Sequence, residues 1–128
     1  MAHDVQEEAR RRLSALAEPT AAGCAPAHQM ARDAALLGRL LTAAGRPGPD
    51  GARTPDVTMD DVGAALSLFE HLRHQLDRLE SQVVMEARRR GMDWRQIAGH
   101  QGLNSSQAAS QRHQRLTTRL EEIRQGVR

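Results

Sequence analysis

The sequence is short of aromatic rings, of one of the two common cations and of thiols. Tyrosine is absent, and one Phe and one Trp bring the aromatic content to only 2%. That argues against a stacking platform for single-stranded nucleic acid, which needs rings under successive bases. β-Branched residues are also few: the isoleucines are Ile97 and Ile123, and there are six valines. The apolar stock is Ala and Leu, both strong helix formers, so a β-sandwich or barrel is excluded and an all-α fold is expected. Lysine is absent, and all 18 cations are Arg. A GC-rich coding sequence produces such a bias. Its physical consequence is that every positive charge is a planar fork suited to phosphate and to guanine edges.

Cys24 is the single cysteine, which excludes an intramolecular disulfide and a multi-Cys metal site. Its neighbours are Ala, Pro and Gly rather than cations, which argues against a reactive thiol. No apolar run approaches the ~18 residues of a membrane span. The first residues turn charged at once, without a secretory pattern. The expectation is a cytoplasmic, nucleoid-associated protein without a membrane partner. With 128 residues the chain makes one domain, or a small domain with an appendage.

What is present is a charge asymmetry. Residues 1–84 hold nine Arg and twelve carboxylates, a net −3, whereas residues 85–128 hold nine Arg and four carboxylates, a net +5. A basic end on an acidic body points to a polyanionic partner.

Hydrophobic spacing predicts a helical bundle with a long central helix. Over residues 4–17, Val5, Ala9, Leu13 and Leu16 share a face, with Asp4 as the cap. Over 27–44 the stripe is Met30, Ala34, Leu37, Leu41 and Ala44, with Gly45 as the stop. Residues 1–44 therefore read as an N-terminal helical pair, a candidate dimerisation element. Residues 45–57 carry three Pro and three Gly and read as a linker. Thr58 and Asp61 have the spacing of a capping box at the start of the 58–128 region. From there Val62, Ala65, Phe69, Leu72, Leu76, Leu79 and Val83 recur at steps of 3 and 4, a heptad seam. The seam fits two roles equally, packing within the chain or pairing with a second copy. His71 and His74 flank it without a third ligand, so no metal site is expected.

The chemistry concentrates near the C-terminus. Gly91 breaks the long helix, and Asp93 with Gln96 opens a short one over 93–100. Gly102 permits a reversal, and Asn104 or Ser105 caps the next helix, over about 105–124. Ala98, Leu103 and Ala109 fill the angle between the two, and Trp94 anchors them to the helix before. This is the helix–short turn–helix pattern of a trihelical DNA-binding unit.

On the last helix, Ala109, His113, Leu116, Leu120 and Ile123 face inward. The outward face carries amides, hydroxyls and guanidinium groups, and residues 94–120 contain no Asp or Glu. A merely solvated face more often mixes acids with bases at i, i+4. Amides read adenine and Arg reads guanine. The expected base contacts are Ser106, Gln107, Ser110, Gln111 and Gln114. The expected phosphate contacts are Arg95, Arg112, Arg115 and Arg119. The expected dimer seam is Val62, Phe69, Leu72, Leu76, Leu79 and Val83.

Residues 76–116 resemble small actinobacterial helix-turn-helix proteins, often labelled heat-shock-protein transcriptional regulators. The resemblance rests on Leu76–Glu80, on Gly91, Trp94, Ile97 and Ala98, and on Ser105–Arg112 with its Gln107, Ala108 and Ala109. It implies a DNA-binding regulator whose partner is double-stranded DNA. No enzyme constellation, phosphate-binding glycine loop or metal set appears, so neither catalysis nor a cofactor is expected. The alternative is a helical adaptor docking on the transcription machinery or another acidic partner.

Overall fold

A computed structural model describes residues 2–17, 25–45 and 57–126. They form five helices: α1 (Ala2–Ser14), α2 (Ala25–Gly45), α3 (Met59–Arg89), α4 (Trp94–Gln101) and α5 (Ser106–Arg124). The fold is all-α, with no strand among the described residues. Cys24 and most of the Pro/Gly-rich linker lie outside them.

The 31-residue α3 organises the rest, about 46 Å long at the standard rise. Its capping box forms as spaced: the Thr58 hydroxyl accepts from the Asp61 N–H at 3.2 Å, and the Asp61 carboxylate accepts from the Thr58 N–H at 3.0 Å. The other two N-terminal expectations shift. α1 begins at Ala2, so Asp4 lies within its first turn, where it meets the positive helix end without capping it. α2 begins at Ala25, with Pro26 in its first turn where a missing N–H costs nothing, and Gly45 is its last residue.

α2 packs along α3, α5 packs on both α3 and α4, and the compact core sits at that second junction. Val84, Ile97, Ala98 and Ala109 are buried there, with Ala87, Met92, Trp94 and Leu103 against them. The α2–α3 half is built differently. Its buried residues include the polar Asp33 and Gln75, while Leu36, Leu41, Val62, Leu66 and Phe69 are exposed. The Asp33 Oδ1 accepts from Gln29 at 3.2 Å, but its buried Oδ2 has no partner. Every α1 side chain from His3 to Ser14 is exposed, so the Val5–Leu13–Leu16 stripe is left uncovered among the described residues.

The heptad seam divides. Ala65, Leu72 and Leu79 are half-buried, whereas Val62, Phe69, Leu76 and Val83 are exposed. Both α2 and α5 pack on α3, so this row has neighbours within the chain. One row of the repeat thus turns toward the chain itself and the other toward solvent. His71 hydrogen-bonds Gln75 one turn on, at 3.1 Å. Among the described residues no group of three His, Cys, Asp or Glu is placed to hold a metal, and no helix is long and apolar enough to cross a membrane.

Candidate nucleic-acid interface

The site is assembled by two reversals and two caps, each set by nearby residues. At the end of α3, Gly91 has φ +92°, and the Met92 N–H reaches back to the Ala87 carbonyl at 3.0 Å. This closure of the last turn needs a left-handed residue, which only Gly supplies without strain. Asp93 then caps α4: its carboxylate accepts from the Gln96 N–H at 2.8 Å, and the Gln96 side chain accepts from the Asp93 N–H at 2.9 Å. The second reversal repeats the first. Gly102 has φ +71°, and the Leu103 N–H donates to the Ala98 carbonyl at 2.8 Å. Of the two candidate caps for α5, Ser105 takes the role. Its hydroxyl accepts from the Ala108 N–H at 3.1 Å, so Gln107, which a cap at Asn104 would have engaged, keeps an exposed side chain.

Small residues let α4 and α5 touch: Ala98 is 3% exposed and Ala109 1%. Trp94 ties the pair to α3. The Arg88 guanidinium lies over its ring at 5.0 Å from the centroid, and the His113 ring sits tilted against it at 5.8 Å. Arg88 also donates to the Met92 carbonyl at 3.2 Å, so one cation holds both the turn and the indole.

Two ion pairs dock α5 on α3. Arg112 grips Glu80 through two bonds of 2.6 and 2.8 Å, and Arg119 donates to Asp77 at 2.8 Å. Gln101 of α4 also donates to Glu80, at 3.4 Å. The Arg112 hydrogen bonds hold the Glu80 carboxyl below its ordinary value of 4.5, against the opposing effect of burial. A carboxylate whose folded value lies below its unfolded one stabilises fully above the unfolded value. That contribution disappears as pH falls through the folded value. Glu80→Gln is therefore expected to lower stability near pH 7 by about 1 kcal/mol. The gap to the native chain should close below pH 4.5, in urea titrations run across that range.

With those pairs made, the expected site residues separate. Arg112 and Arg119 belong to the α3–α5 junction, where Glu80 takes two nitrogens of Arg112 and Asp77 takes one of Arg119. Arg95 and Arg115 are exposed and have no carboxylate partner among the described residues. Gln107, Gln111, Gln114 and Ser106 are exposed and share the outward side of α5, while Ser110 is half-buried. Gln111, Gln114, Arg115, Thr118 and Arg119 line one shallow polar depression, together with Glu122. Arg95 lines another, of about 310 Å3, with Ser105 and Ser106 at the α5 N-terminus. That first turn carries no acid, so the positive helix end adds to the guanidinium.

Glu80, Asp77 and Arg88 were not among the residues the sequence singled out for the site. Their signal was weak: a Leu-Asp-Arg-Leu-Glu run and an Arg triplet do not reveal their partners. The chain matches no family model, no curated protein and no solved structure.

Proposed function

We propose that the protein is a sequence-specific, duplex-DNA-binding transcriptional regulator. One observation carries the reading. Two capped helices, locked at Ala98 and Ala109, present an α5 face of Gln107, Gln111, Gln114 and Arg115 that carries no carboxylate before Glu121. Such a face has the width and chemistry to enter a major groove, with α4 lying across the backbone. Ser106, Gln107, Gln111 and Gln114 are the base-reading groups, with Ser110 at the margin. Arg95 and Arg115 take phosphates. Arg112 and Arg119 act one step back, by fixing the angle of α5.

The test is selection of bound fragments from a random duplex pool, followed by salt-titrated binding of paired variants. Arg115→Ala is expected to weaken binding to all sequences and to reduce the salt slope by about one unit. Gln111→Ala is expected to leave random DNA unaffected and to lose about 1–3 kcal/mol of discrimination at one base pair. Equal weakening on specific and random DNA would remove Gln111 from base contact. Binding to a protein instead, indifferent to salt, would favour the adaptor reading, because an apolar docking face releases no counterions.

A further inference from the structure

The exposed row of α3 is the largest feature that the DNA-binding reading leaves unused. Val62, Leu66, Phe69, Leu76 and Val83 are between 40% and 67% exposed on one side of a single helix. Two charged residues interrupt the row, Arg73 and Glu80, and they stand at nearly equal distances on either side of Leu76. From Leu76 to Val83 the row borders an apolar groove of about 730 Å3 between α3 and α4, lined also by Val84, Met92 and Ile97 and by Arg112 of α5.

We infer that this strip is covered by the same strip of a second copy, the two α3 helices running antiparallel about a two-fold axis beside Leu76. In that register the central part of the strip, from Phe69 to Val83, is self-complementary, while Val62 and Leu66 stand toward Arg90 and Glu86 of the other copy. Leu76 meets Leu76. Arg73 of each copy meets Glu80 of the other, and Phe69 of each meets Val83 and the mouth of the groove. A two-fold contact requires such reciprocity, residue i on j and j on i. A parallel pair would set Arg73 against Arg73 and Glu80 against Glu80, which like charges oppose. The bonds already present allow the exchange. Arg73 has a loose, exposed contact with Glu70 at 3.5 Å and lies over the Phe69 ring at 5.9 Å from its centroid, and the Glu80 carboxylate, held by Arg112 and Gln101, keeps a further lone-pair position. The chain's one Phe is the large anchor such contacts favour, and the groove gives it a place to enter.

The arrangement also accounts for where the other helices lie. At 3.6 residues per turn, Asp77, Ser81 and Val84, which face α4 and α5, lie about a quarter-turn to one side of the strip. Ala65, Leu72 and Gln75, toward α2, lie about a quarter-turn to the other side. A two-fold axis normal to the paired α3 helices keeps each side on its own face. Both α4–α5 units then emerge on one face and both α2 helices on the opposite one. The two Gly91 turns stand about 45 Å apart along the pair, being 15 residues each from Leu76. α5 folds back from there as far as Asp77. Half-sites one helical turn apart, about 34 Å, fall within that span. In this last respect the inference rests on the DNA-binding reading; the pairing itself does not.

Cross-linking tests the register in the full-length chain carrying Cys24→Ser. Phe69→Cys and Val83→Cys are made separately, mixed, and treated with a short bifunctional maleimide, with mass and helicity measured in parallel. The expected result is a native dimer in which Phe69→Cys links to Val83→Cys and neither links to itself. Arg73→Glu, at an exposed position and checked for folding by circular dichroism, is expected to raise the dimer dissociation constant about tenfold or more. Links of each variant to itself would overturn the antiparallel register. A native chain that stays monomeric at micromolar concentration, or an Arg73→Glu chain that dimerises as well as the native one, would overturn the pairing. A monomer that still selects duplex DNA would leave the DNA reading standing. A correctly cross-linked dimer without affinity for duplex DNA would overturn that reading instead and leave this one.

Discussion

Ile97→Ala is expected to destabilise the C-terminal unit by about 2–5 kcal/mol, the range for truncating a buried isoleucine or leucine. Ile97 is 3% exposed and packs among Val84, Ala98 and Ala109. Those neighbours are small or β-branched and sit on helices pinned by caps, so collapse into the vacated space is limited. The buried cluster is also small, with only Ala87, Met92, Trp94 and Leu103 around it, so little remains to offset the loss. Domains commonly have only 5–15 kcal/mol of net stability, and a change of this size is a large fraction of it. Urea titration followed by Trp94 fluorescence is the direct measurement, because the single tryptophan lies against this cluster. The milder Ile97→Val should cost about 0.5–1.5 kcal/mol. Under the proposed DNA-binding reading, affinity for duplex should fall only by the fraction unfolded, since Ile97 is buried away from the outward face of α5. A cost below about 0.5 kcal/mol for the alanine would mean that the α3–α4–α5 junction is not the folding core.

The parts of this junction that the sequence announces are those governed by short range. The Asp93–Gln96 box, the Gly91 and Gly102 reversals and the Ala98–Ala109 contact follow from residues three to eleven positions apart, where cap and turn chemistry leave few choices. Even there, two adjacent capping types, Asn104 and Ser105, were equivalent on paper. The backbone decides between them: Ser105 takes the extended conformation, with φ −151° and ψ 157°. Long-range partners were not legible. A helical wheel puts Arg112 and Arg119 on the flank of α5. Nothing in it shows that Glu80 and Asp77, 32 and 42 residues away, stand opposite. Two of the four cations assigned to phosphate are paired with carboxylates of α3 for that reason.

Periodicity has the same limit on α3. The heptad spacing correctly marks a continuous helix with a repeated apolar seam, but a period cannot tell which row faces which neighbour. The split between Leu72, half-buried, and Leu76, exposed, depends on where α2 lies. Likewise the α1 stripe is amphipathic by sequence and unpartnered in the structure. Amphipathicity names a face to be covered and leaves its cover unspecified.

Leu76→Asp is the substitution on which the two roles of the seam diverge most. If the seam were an internal core, an unpaired carboxylate would be buried and the chain would unfold. Leu76 is 52% exposed, so the new carboxylate stays hydrated within one chain. The folded state should survive with a change within about 0.5 kcal/mol, as for other surface positions. Across the proposed two-fold, however, the two introduced carboxylates face each other at the centre of the strip. The expected outcome is an unchanged circular dichroism spectrum and half the native mass by light scattering. Affinity for a two-half-site duplex should fall by about 10²-fold or more, since the second unit no longer binds as part of one body. Binding to a single half-site should be unchanged, because the α5 face is untouched. Unfolding of this variant would mean that α3 buries Leu76 within its own chain. A folded variant that keeps the native mass would mean that the exposed row is not the contact.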